Sequence, residues 1–126
     1  MLLTLDVSAL SRVERLALAR MMSEHLGARV PALGTALAEA VTAAVDAGAD
    51  VVRVDLGWPD PDRPVEEAAQ ELQVAARWLK RASELASQEE LTAPLARPLF
   101  QLARAVVAEL ERRLELDVAF HETVGT

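Results

Sequence analysis

Two histidines, His25 and His121, are the side chains of this 126-residue chain whose ordinary titration falls near neutral pH. Each neighbours a glutamate, in Glu24-His25 and His121-Glu122. Adjacent residues on a helix or strand project in different directions, so neither pair makes a proton-shuttling dyad. Neither histidine follows a glutamate at the Glu-x-x-His spacing of helical di-iron sites. The sequence holds no His-Glu-x-x-His, no phosphate-binding glycine loop, no Gly-x-Gly-x-x-Gly turn and no Gly-x-Ser-x-Gly elbow. With no cysteine in the chain, thiolate catalysis, disulfides and cysteine metal sites are excluded. The histidines read as ordinary surface or rim residues. The expectation is a protein that is not an enzyme, with no catalytic residue and no cofactor.

Carboxylates offer the next chemistry. Between Asp46 and Glu71 lie eight acidic side chains and only Arg53 and Arg63 as bases, so this stretch carries −6 of the formal net charge of −7. Asp60-x-Asp62 with Glu66 and Glu67 presents hard oxygen ligands of the kind calcium takes. The spacing lacks a turn glycine, and Pro61 and Pro64 stiffen the segment, so no metal site is assigned. Glu66 and Glu67 suit the first turn of a helix, where the dipole favours negative charge. That leaves Asp55, Asp60 and Asp62, and an acidic surface facing a basic protein partner accounts for all five.

Trp78 supplies the apolar counterpart. At ~100° per residue it projects with Val74 and Leu85, roughly opposite the stripe Val65, Ala68, Leu72, Ala75, Leu79, Ala82 and Ala86. A helix with two apolar faces is either enclosed by its own fold or shows one face to another chain. Tryptophan is enriched at binding hot spots, so Val74, Trp78 and Leu85 form a candidate partner surface, and a homodimer is expected.

The elements that must carry these residues follow from periodicity. Leu2–Val7 alternates and predicts a strand. Ser11-Arg12-Val13-Glu14 has the form of a capping box opening a helix that ends at Gly27 in a left-handed C-terminal conformation. A second helix opens at Pro31 and ends at Gly48, with Gly34 and Ala38 a turn apart and able to admit a close backbone. Val51–Leu56 alternates again. Three prolines in Trp58–Pro64 predict a stiff surface loop. The third helix carries the Val65–Ala86 stripe and breaks near Ser87–Thr92, and Pro94 and Pro98 delay the fourth until about Leu99. Leu114, Leu116, Val118 and Phe120 then alternate with polar residues and predict a closing strand. The expected fold is one α+β domain over residues 1–126, predominantly helical: two β-α-α units and a C-terminal strand, with four helices on a three-stranded mixed sheet. Successive strands should run antiparallel. The alternative is an all-α four-helix bundle with extended termini.

At 13.6 kDa and 52% hydrophobic residues the chain is long enough to bury a core without staples. The absence of Ile, Asn and Tyr, with one lysine among twelve arginines, matches a GC-rich genome and carries no functional weight, and a bacterial source is expected. No apolar run reaches the ~18 residues of a membrane span, and the N-terminus does not read as a signal peptide, so a cytoplasmic protein is expected. The leading function class is a macromolecular interaction protein, either an assembly or adaptor subunit or an inhibitor of the antitoxin or immunity type. The second is a DNA-binding regulator using the N-terminal strand and two helices, opposed by Asp6 on that strand and by the lack of a basic cluster. A small-ligand-binding domain or enzyme is the third.

Overall fold

The computed structural model describes residues 1–124, with side-chain surroundings through Glu115. Strand β1 (Leu2–Asp6) leads into helix α1 (Arg12–Met21), which runs on through a π-helical turn (Met22–Leu26) and a last α turn (Gly27–Arg29). Helix α2 (Pro31–Ala47) returns the chain to strand β2 (Val51–Asp55), and helices α3 (Val65–Ser87) and α4 (Ala93–Val124) form a hairpin. The fold is predominantly helical α+β, with two successive β-α-α units.

The expected antiparallel return is present. β1 and β2 pair within the chain, with Leu3 opposite Val54 and Leu5 opposite Val52. Alternation puts Leu3, Leu5, Val7, Val52 and Leu56 in the core, while Leu2, Thr4, Asp6, Val51, Arg53 and Asp55 face outward and are exposed. The same core takes in Leu18, Met22 and Leu26 from α1 and its π turn, Leu33, Leu37 and Val41 from α2, Leu72, Ala75 and Leu79 from α3, and Leu99, Leu102 and Val106 from α4.

Local chemistry sets the helix ends. Ser11 Oγ accepts from the Glu14 N–H at 3.2 Å, and the Glu14 carboxylate accepts from the Ser11 N–H at 2.8 Å, which completes the capping box. Pro31 occupies the first turn of α2, and Gly48 closes it with φ 67°. Gly27 behaves differently from the expectation. Its φ of −60° and ψ of −28° are right-handed, and the helical backbone passes through it. The reason is a helix crossing. A methyl group placed on Gly34 would overlap the Gly27 backbone and sit 2.7 Å from the Met22 carbonyl oxygen, so the two glycines let α1 and α2 touch backbone to backbone.

Two further expectations are corrected. The predicted closing strand over Leu114–Phe120 is helical, because α4 continues through Val124 and the sheet has two strands, not three. Nothing between Pro98 and Gly125 breaks a helix, and Glu109, held by Arg112 at 2.6 Å and Arg113 at 3.0 Å, reinforces the turn just before the alternating residues. The fourth helix also begins earlier than predicted, at Ala93. Pro94 falls in its first turn, where a missing N–H is harmless, and Pro98 lies inside it. Ser83 of α3, the one buried polar side chain among the described residues, donates to the Ala96 carbonyl at 2.8 Å and ties this proline-bearing stretch to α3.

Candidate functional site

The acidic end is built by the exit of β2, the Trp58–Pro64 loop and the first turns of α3. The loop is more embedded than its prolines suggest. Trp58 is 7% exposed, and its Nε1 donates to Glu71 Oε2 at 2.8 Å. Arg113 of α4 donates to the Pro59 carbonyl at 2.7 Å. A buried indole on one side and a guanidinium on the other clamp the loop between α3 and α4.

The acidic residues then divide. Glu71 lies 2.7 Å from Arg63 and Glu67 lies 3.1 Å from it, so one cation serves two carboxylates. Those hydrogen bonds, Glu71 first, hold the Arg63 guanidinium above its usual pKa. Asp55 is exposed and 3.8 Å from the chain's amino group. Asp60 accepts from the Asp62 N–H at 2.9 Å, which gives it a turn-shaping role. Among the described residues, Asp60, Asp62 and Glu66 have no cation within ion-pairing distance. Asp55, Asp60, Asp62, Glu66 and Glu67 all lie at this one end of the fold. Asp46 and Asp50 lie beyond the opposite end of β2, where Asp50 meets Arg15 at 3.0 Å. No three His, Asp or Glu side chains among the described residues are placed to hold a metal ion.

Trp78 stands about 18 Å further along α3 from Glu66 at the helical rise. It is half-buried, packed at the margin of the core, and forms one wall of a groove of about 430 Å³. The other wall is Met21, His25 and Arg29 from α1 and its continuation, and Leu85, Arg81, Glu89 and Thr92 are also among the lining residues. Leu85 is 48% exposed and Val74 is 37% exposed. His25 belongs to the π turn, a local widening of the helix often associated with functional sites. The predicted cluster of Val74, Trp78 and Leu85 is therefore on one exposed side of α3, with Trp78 seated toward α1. The side chain of His121 lies outside the described residues.

A third surface was not visible in the sequence. Arg77 and Lys80 of α3 and Arg104 of α4 line one groove of about 560 Å³, together with Phe100, Val107 and Glu111. Phe100 is 49% and Val107 is 40% exposed. The bases are separated along the chain and meet because α3 and α4 form an antiparallel hairpin. The signal that could have found them was the same hairpin read jointly with the charges on both helices.

No helix among the described residues is long and apolar enough to cross a membrane. The chain matches no family model, no curated protein and no solved structure.

Proposed function

We propose that this protein works by binding another protein in the cytoplasm, as an assembly or adaptor subunit or as an inhibitor of the antitoxin or immunity kind, and not by catalysis. The observation that carries this reading is the Trp78 groove. A large aromatic ring left half-open beside exposed Leu85 and Val74 gains by being covered, and a covered tryptophan is the common centre of a binding hot spot. Asp60, Asp62 and Glu66 supply a separate negative surface that would steer a basic partner toward the loop end of α3.

The test is affinity capture from the native host with three baits: wild type, Trp78→Ala/Leu85→Ala, and Asp60→Asn/Asp62→Asn/Glu66→Gln. A partner held by wild type should be lost with the first variant. It should bind the second more slowly, with the difference from wild type shrinking at high salt. Equal capture by all three baits would overturn the reading.

A further inference from the structure

We propose that a second copy of this chain docks along the outer side of α3, antiparallel to it, about a two-fold axis through Val74. The inference deepens the reading of the Trp78 side as a docking surface and rests on it. The observation behind it is the order of charges along α3. Glu66, Glu67 and Glu71 precede Val74, and Arg77, Lys80 and Arg81 follow it, with Glu84 the one acid in the second half of the helix. The helix dipole accounts for Glu66 and Glu67 in the first turn. It does not account for the cations, which stop short of the last turn; that turn has no basic residue.

A second copy explains both halves of the pattern. Glu67, Val74 and Arg81 recur at heptad spacing on one side of the helix, and Glu71, Trp78 and Leu85 run beside them at the same spacing. An antiparallel mate centred on Val74 brings Glu67 opposite Arg81 of the second copy and Arg81 opposite its Glu67. The two Val74 side chains meet at the axis, and each Trp78 lies over the stems of Gln70 and Glu71 across it. A parallel mate would set Glu67 against Glu67 and Arg81 against Arg81, so the charges themselves select the antiparallel arrangement. An isologous contact needs this kind of self-complementary patch. The groups are open to it. Val74 is exposed, the Glu67 side chain is 59% exposed despite its bond to Arg63, and that of Arg81 is 70% exposed with Glu84 no nearer than 4.0 Å.

Sedimentation equilibrium of the full chain tests the proposal. Wild type should dimerise. Glu67→Arg and Arg81→Glu should each weaken the dimer by about tenfold or more, because each reversal converts two symmetric attractions into repulsions. An equimolar mixture of these two variants should recover a dimer, since the altered chains complement one another, and so should the double variant. Val74→Cys should form a disulfide-linked dimer under mild oxidation, as the chain has no other cysteine, whereas Cys at the exposed Val13 should not. Circular dichroism should show each variant folded. A wild-type chain still monomeric at ~1 mM, or single reversals that the mixture does not rescue, would overturn the dimer. If Trp78→Ala/Leu85→Ala nevertheless lost a captured partner, the docking reading would stand without the dimer. A rescued dimer with no partner lost would overturn only the hetero-partner part of the reading.

Discussion

At the scale of single residues, Trp58 shows how a few polar atoms fix a segment that composition describes as a surface loop. Trp58→Phe removes the donor together with part of the buried ring, leaves Glu71 bonded to Arg63 alone and should cost about 1–3 kcal/mol in urea unfolding. Removing the ring, as in Trp58→Ala, also opens a cavity and should cost about 3–5 kcal/mol. The carboxylates that hold the clamp predict an acid response. Burial alone would raise the Glu71 pKa, but hydrogen bonds from Arg63 and Trp58 outweigh it and keep the group below the ordinary 4.5. Glu109 is held below 4.5 chiefly by its bond from Arg112, against some burial and with help from Arg113. Both groups are more easily protonated unfolded than folded. The stability they contribute is complete above pH 4.5 and is lost as pH falls through their depressed folded values. Melting temperature should thus drop below that pH, and Glu71→Gln/Glu109→Gln should flatten the drop. An unchanged acid slope would show that other carboxylates set it. Trp58 was not singled out from sequence because its bond partner sits thirteen residues away on a helix face whose orientation only the packed loop decides.

At the scale of elements, the glycines separate what local chemistry can announce from what only packing reveals. Gly48 was legible. It follows a helical stripe, takes φ 67°, and has open space around it, so Gly48→Ala should cost about 1–2 kcal/mol from backbone strain alone. Ser11 was equally legible, and Ser11→Ala should remove about 1 kcal/mol with the cap. Gly27 was misread because a glycine after a helical run signals an end when nothing else is known. Here its role is set by Gly34 across the helix crossing. Gly34→Ala should therefore reach or exceed the top of the ~1–3 kcal/mol range for overpacking, while Gly27→Ala, whose new methyl would meet the Met22 oxygen at an ordinary 3.4 Å, should be tolerated or add up to about 1 kcal/mol. Thermal unfolding of the pair decides the point. The closing strand failed for a related reason. Alternation from Leu114 to Phe120 is a tertiary cue that needs a neighbouring strand to receive it, whereas an unbroken helix needs only the turn before it.

At the scale of the whole molecule, the two tryptophans report on different things. Trp58 is buried and Trp78 half-open. A chain carrying only Trp58 should fluoresce to the blue and resist acrylamide, and one carrying only Trp78 should quench more readily. Similar quenching of both would contradict the burial described. The fold class and the face of α3 carrying Val74, Trp78 and Leu85 were readable because both follow from periodicity along one element. The grooves beside that face were not, since each is shared by two helices and depends on how they cross. The acidic end was readable as a run of charge, yet its residues separate into those clamped by Arg63, one that shapes a turn, and those left to solvent. One further feature bears on how the chain could change length. A π turn takes up one residue more than an α turn while leaving the faces of the flanking helix in register. Deleting Ser23, exposed within that turn, should let the helix close into ordinary α geometry with Leu18 and Gly27 still directed at their neighbours. The same deletion at Ala17 should swing everything downstream by ~100° and cost the fold. The stretch that carries His25 to the Trp78 groove is thus the place in this helix where a residue can be lost without rebuilding the core, and where one groove wall can be redrawn independently of the rest.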